Sequence, residues 1–262
     1  MDLIVNVIRV PSKKYPTLKK AVTQASAPFA GDKTNRVTTI VVGEGEHIID
    51  GNYLEIPSTM KIVGDPGVPT EEIVVLGSIL FEGYNCHLQH MIIRNSCYTT
   101  GSCPEGVSGQ SSFTMEDVIV EQWVIGVFAE GTGVVGRCTD VEVRQCTWGV
   151  TASDGGSVTL IGAKTTVHHN DQGLTIGDDS SEGDSSTIHL VYPLTKEQVS
   201  IDNGEWVEWV EGGDPGGNWG TEYDGDINQI KTIDAPAISS TTAPAAAVAP
   251  AGETKSNNCV LS

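Results

Sequence analysis

Residues 113–131 read FTMEDVIVEQWVIGVFAEG, residues 138–156 read CTDVEVRQCTWGVTASDGG, and residues 160–179 read LIGAKTTVHHNDQGLTIGDD. Laid over one another, they bring Gly126, Gly149 and Gly173 into coincidence, at steps of 23 and 24 residues. In that register Val118 meets Val141 and Thr165, Val120 meets Val143 and Val167, and Val127 meets Val150 and Leu174. One unit earlier, Met91 falls above Val118 and Ile93 above Val120. A fixed period with four- to five-residue apolar alternations predicts a solenoid of stacked parallel strands. Each unit buries its apolar file against the next at about 4.8 Å.

The rest of the chain fits the same reading. Residues 15–26 (YPTLKKAVTQAS) place Leu18, Ala21, Val22 and Ala25 on one helical face, with Pro16 near the start, where a missing N–H costs nothing. Short alternating runs follow at 38–42, 53–56, 60–63, 73–76 and 88–93, bounded by Gly, Pro, Asp or Asn. An antiparallel sandwich is the alternative, and it needs a hairpin turn at each reversal. Only Asp50-Gly51, Asp154-Gly155, Asn203-Gly204 and Asp224-Gly225 qualify.

The segments YPTLKKAV, TTIVVGEGEH and LEIPSTMKIVGDPG resemble the opening of pectin lyase-like right-handed parallel β-helix proteins, by motif over residues 15–67 and by repeat over 88–179. The resemblance implies an all-β, right-handed single-stranded parallel β-helix with an N-terminal capping helix. It is specific to the fold and not to any one enzyme.

Fifteen Lys and Arg against 34 Asp and Glu give a net charge of −19, which disfavours nucleic-acid binding through a basic face. The start of the chain reads as a strand, interrupted by Asp2 and Arg9, and lacks a signal peptide's basic region and cleavage site. No apolar run reaches the ~18 residues of a membrane span. Six cysteines (86, 97, 103, 138, 146, 259) form no C-x-x-C pair or zinc pattern, so reduced thiols in a cytoplasmic setting are expected. Cys97 and Cys103 flank a loop that a disulfide could close. No cofactor and no metal site are expected. The chain divides into a strand and capping helix (1–36), the β-helix (37–192), a C-terminal cap (193–233) with a Gly-rich loop at 212–220, and an Ala/Pro/Ser/Thr-rich tail (234–262).

The densest carboxylates are Asp178, Asp179, Glu182 and Asp184. Polygalacturonase-type members of the resembled family use paired aspartates for acid and base work, but with a Gly-His-Gly element that this chain lacks. Their lyase relatives use Arg with calcium-binding Asp, and the Arg-x-Pro-x-x-Arg and Trp-Ile-Asp-His signatures are missing too. A plain acidic turn is the competing reading. The register also aligns Arg94, Glu121, Arg144 and His168 in one outward column. This is either an exposed ion-pair ladder or a groove in which Arg144 holds a carboxylate and His168 moves a proton. Asn95, Gln122, Gln145 and His169 are expected to form an inward amide column, and Trp123 and Trp148 to pack. His87 and His90 have no partner at metal-ligand spacing.

The last residues, Cys259-Val260-Leu261-Ser262, read as a prenylation box that favours farnesyl, with 234–258 as its tether. These readings point to a non-catalytic β-solenoid that binds a protein or glycan partner and associates peripherally with a cytosolic membrane face through Cys259. The alternative is a hydrolase or lyase acting on an acidic polysaccharide through Asp178, Asp179, His168 and Arg144.

Overall fold

The computed structural model describes residues 6–26, 38–57, 59–95, 105–178, 185–204, 217–223 and 226–234. Among them the strands dominate, and every strand pairing is parallel, between segments about one coil apart in sequence. This excludes the antiparallel sandwich. Val120, Val143 and Val167 are in register and fully buried, as are Val127, Val150 and Leu174.

The pairings fall on three faces of a parallel β-helix. The first face begins with the strands Asn6–Val10, Thr38–Val42 and Met60–Gly64 and ends with Val135–Thr139, Ser157–Ile161, Thr187–Val191 and Ile230–Ile233. The strands Cys86–Arg94 and Phe113–Glu121 bend from the first face onto the second, which Glu142–Arg144 and Thr166–His168 continue. The third face includes Glu105–Gly109, Ile125–Glu130, Trp148–Ser153 and Gln172–Asp178.

The glycine repeat has a steric cause. A Cβ on Gly126 would lie 2.6 Å from the carbonyl oxygen of Gly149 and 2.6 Å from Val143 Cγ1. On Gly149 it would lie 2.6 Å from the Gly173 oxygen. Each coil must therefore present glycine where the next coil's backbone comes closest.

The corners between faces are made by single residues in the left-handed region. His90, Asp117 and Asp140 (φ 58°, 52° and 50°) turn the first face into the second. Gln122, Gln145, His169 and Asp202 (φ 67°, 56°, 53° and 50°) do so between the second and third. Asn, Asp and His are among the few non-glycine residues that visit this region readily.

The helix Leu18–Ser26 starts three residues after the periodicity suggested, because the chain at 15–17 is still extended or turning. It buries Leu18, Ala21 and Val22 in the common core. The parallel pairing also continues past Tyr192. Ser200–Ile201, Gly217–Tyr223 and Ile230–Ile233 lie on the strands of the preceding coil. Residues 217–220, read from the sequence as loop, are therefore strand. Their neighbour Gln172–Asp178 supplies the hydrogen-bonding edge that a Gly-rich sequence does not advertise.

Candidate functional site

The second face carries the outward charged column. Arg94, Glu121, Arg144 and His168 are consecutive partners in register. Glu121 accepts from Arg94 Nε at 2.5 Å and pairs with Arg144 at 2.7 Å. Arg144 also meets Glu142 at 2.5 Å, and His168 Nε2 lies 3.1 Å from that same Glu142 oxygen. The pairs are not the fully exposed ones expected from alternation. Glu121 has only 3% of its side chain open, because two arginine stems on adjacent rungs close over it. Burial would raise the Glu121 pKa, but the hydrogen bonds and charges of Arg94 and Arg144 outweigh it and hold the carboxyl below its usual range.

Beside this ladder an open groove of about 560 Å³ runs along the corner between the second and third faces. Asn95, Gln122, Gln145, His169, Thr147 and Asp171 contribute to its lining. The amide column expected to point inward is here. Gln122, Gln145 and His169 are exposed, and Gln122 donates to Gln145 at 3.2 Å. The left-handed corner resets the in–out alternation by one residue, so the next residue turns in instead. Trp123, Cys146 and Asn170 are accordingly buried. Asn170 does the work assigned to the other column. Its Oδ1 accepts from the Cys146 N–H, and its Nδ2 donates to the Val143 carbonyl and to Asn203 Oδ1.

His169 joins the two columns. Its Nδ1 lies 2.6 Å from Nδ1 of His168. With His168 donating through Nε2 to Glu142, the consistent neutral arrangement has His169 donating its Nδ1–H to His168. That leaves His169 Nε2 an acceptor. Asp171, which the sequence reading set aside, shares the groove, and burial pushes its carboxyl pKa up.

Asp178 ends a strand of the third face, while Asp179, Glu182, Asp184, Cys97, Cys103 and Cys259 lie outside the described residues. His168 and Arg144 are brought together through Glu142, their acceptor in common. His90 binds Asp117, Thr70 and the Val68 carbonyl. Trp123 is 4% exposed, within the core. Cys86, Cys138 and Cys146 are buried without a disulfide, and burial pushes the thiol pKa of Cys138 and of Cys146 up to about 12. Among the described residues no three His, Cys, Asp or Glu side chains gather where they could hold a metal ion, and no helix is long and apolar enough to cross a membrane.

No family model matches the chain, and no curated protein matches it. Among solved structures, Escherichia coli YbhC superposes with a TM-score of 0.50 at 11% identity, covering 87% of this chain and 83% of the other. A pectin methylesterase in complex with a hexasaccharide gives a TM-score of 0.39 at 11% identity, over 72% of this chain and 78% of its own. The likeness to YbhC is one of fold.

Proposed function

We propose that this protein is a non-catalytic β-solenoid that binds a protein or glycan partner along the second-to-third-face corner. In this reading the solenoid winds right-handedly over 37–192, with the helix within 1–36 capping one end and 193–233 the other. The tail 234–262 then tethers it to a cytosolic membrane face through a farnesyl group on Cys259. One observation carries the choice of a binding role. The charged side chains of the second face satisfy one another, Glu121 between two arginines and Glu142 between Arg144 and His168. A base or a carboxylate clamp recruited from them would first have to break that ladder. The neighbouring Gln122, Gln145 and His169 instead offer exposed donors and acceptors at strand spacing.

The enzymatic alternative is favoured by one feature. Asp171, with its raised pKa, sits in the same groove as His169, where a protonated carboxyl can serve as an acid. An assay on polyuronates separates the two readings. The binding reading expects no reducing ends and no unsaturated products. Release of either, abolished by changing Asp171 and His169 to Ala or by the triple change of Asp178, Asp179 and His168 to Ala, overturns it. Binding itself is tested with an immobilised panel of glycans and cell-extract proteins, where retention by the wild type is expected to be lost in Gln122→Ala/Gln145→Ala. Intact mass from eukaryotic cells tests the tether. Loss of the last three residues with a farnesyl on Cys259 is expected, and a C-terminus identical to that of a Cys259→Ser control removes the tether.

A further inference from the structure

The first face carries a file of residues that the groove does not use. Pairing register runs unbroken through nine strands and places Val7, Lys61, His87, Arg137, His189 and Lys231 in one outward line, with threonines on the other three rungs. The line holds no carboxylate, in a chain with 34 Asp and Glu. The next outward line on the same face holds one carboxylate, Glu116, over its rungs from Arg9 to Ile161. Lys61, Arg137 and Lys231 are exposed and occupy the third, sixth and ninth rungs, about 14 Å apart at strand spacing. Burial, followed by the nearby lysine charge, lowers the pKa of His189, and burial leads the lowering at His87 as well. The fixed positive charge of the line therefore rests on Lys61, Arg137 and Lys231.

A second observation falls on the same face. Of the seven large hydrophobic side chains exposed among the described residues, four belong to it: Val7, Val135, Tyr84 and Tyr192. Val7 heads the line, and Val135 lies two residues before Arg137 on the same side of its strand. Tyr84 sits in the turn leading into Cys86–Arg94, and Tyr192 directly follows Thr187–Val191.

We infer that the first face lies flat against an anionic lipid surface, supplying the second attachment that a single prenyl chain needs. The inference rests on the tether through Cys259 and names the surface that the tether brings close. One lipid chain gives marginal, reversible attachment, and a cluster of cations beside it makes attachment stable. The net charge of −19 does not forbid this. Only charges within about 8 Å of the headgroups act strongly at physiological salt, and on this face those are cationic. Exposed Tyr and Val beside the cations suit the headgroup boundary, where aromatic and apolar groups are welcome. A polyanionic glycan or an acidic protein would make no use of them.

The test uses the full chain, farnesylated at Cys259 in vitro, in flotation with vesicles of phosphatidylcholine alone and of phosphatidylcholine with phosphatidylserine. At low salt, partition onto the anionic vesicles is expected to exceed that onto neutral ones by about tenfold or more. Lys61→Gln/Arg137→Gln/Lys231→Gln is expected to erase the preference while leaving the melting temperature and the binding to neutral vesicles unchanged. Tyr84→Ser/Tyr192→Ser is expected to weaken binding to both kinds of vesicle. Equal partition of the wild type onto the two compositions overturns the inference and leaves the lipid tether standing. So does a triple variant that keeps the preference, or one that instead loses retention on a heparin column with vesicle binding intact. Absence of a farnesyl group in cells overturns the tether, and the inference with it, and is read by mass rather than by flotation.

Discussion

Asn170 donates its side-chain amide to Oδ1 of Asn203, one coil further on, at 3.0 Å. Asn203 in turn donates to the Val167 carbonyl, as Asn170 does to that of Val143. Each asparagine thus satisfies a carbonyl at a corner where the backbone leaves its ladder. Asn170 has no exposed surface, so no water can replace it. Asn170→Ala is expected to cost about 2–3 kcal/mol by stranding the Cys146 N–H and the Val143 carbonyl. Asn170→Asp is expected to cost at least as much, because it removes the donors. Urea unfolding measures both, and an Asn170→Ala midpoint equal to that of wild type would remove the ladder's role.

Glu121→Gln leaves Arg94 and Arg144 facing a neutral amide on a side chain that is 3% exposed. Breaking a fully buried pair costs roughly 3–5 kcal/mol. With the arginine heads about a third open, about 2 kcal/mol is expected. The folded pKa of Glu121 is depressed, so its contribution is present above the unfolded value of about 4.5 and is lost as pH falls through the folded value. Stability curves of wild type and Glu121→Gln should therefore converge in acid.

His90 behaves in the opposite sense. Burial lowers its pKa, but the hydrogen bonds to Asp117 and the Val68 carbonyl and the charges of Asp117 and Glu71 outweigh it, and the net shift is upward. Both ring nitrogens face acceptors, at 2.5 Å and 2.7 Å, which the imidazolium alone can satisfy. The stabilisation is fully present below about pH 6.5, the unfolded value, and is lost as pH rises through the higher folded value. Asp117→Asn should bring the His90 titration, followed by NMR, back toward lower pH and remove that part of the pH dependence.

Val143→Asp and Glu142→Ala, one residue apart, separate the two sides of the wall. Val143 is fully buried between Val120 and Val167, and an unpaired carboxylate there should unfold the solenoid. Glu142 faces out, and its removal frees Arg144 and His168 to meet water. Comparable losses of melting temperature would contradict the assignment.

The stacking register was legible because its cause is periodic. Gly126 and Gly149 mark the close approach of successive coils, and Val120, Val143 and Val167 recur at the same distance from them. The groove was not legible. Strict alternation carried from Arg144 puts Gln145 inside, and only its left-handed φ reveals that Cys146 takes that place. The burial of Glu121 was hidden for a different reason. Alternation gives the side of the sheet but not whether neighbouring arginines fold over it. Asp202 escaped notice because the repeat fades in sequence near residue 200, although its φ of 50° continues the corner of His169.

In the pairings of the first face from Val135–Thr139 onward, each strand bonds only to the coil before it and the coil after it. Length is then a variable the fold can change in whole steps. Duplicating one unit of 23 or 24 residues between two corners would lengthen the ion-pair ladder, the amide corner and the cationic line by one rung each. A deletion of any other size would shift all three out of alignment at once. The surfaces of this molecule can be extended together, but not independently.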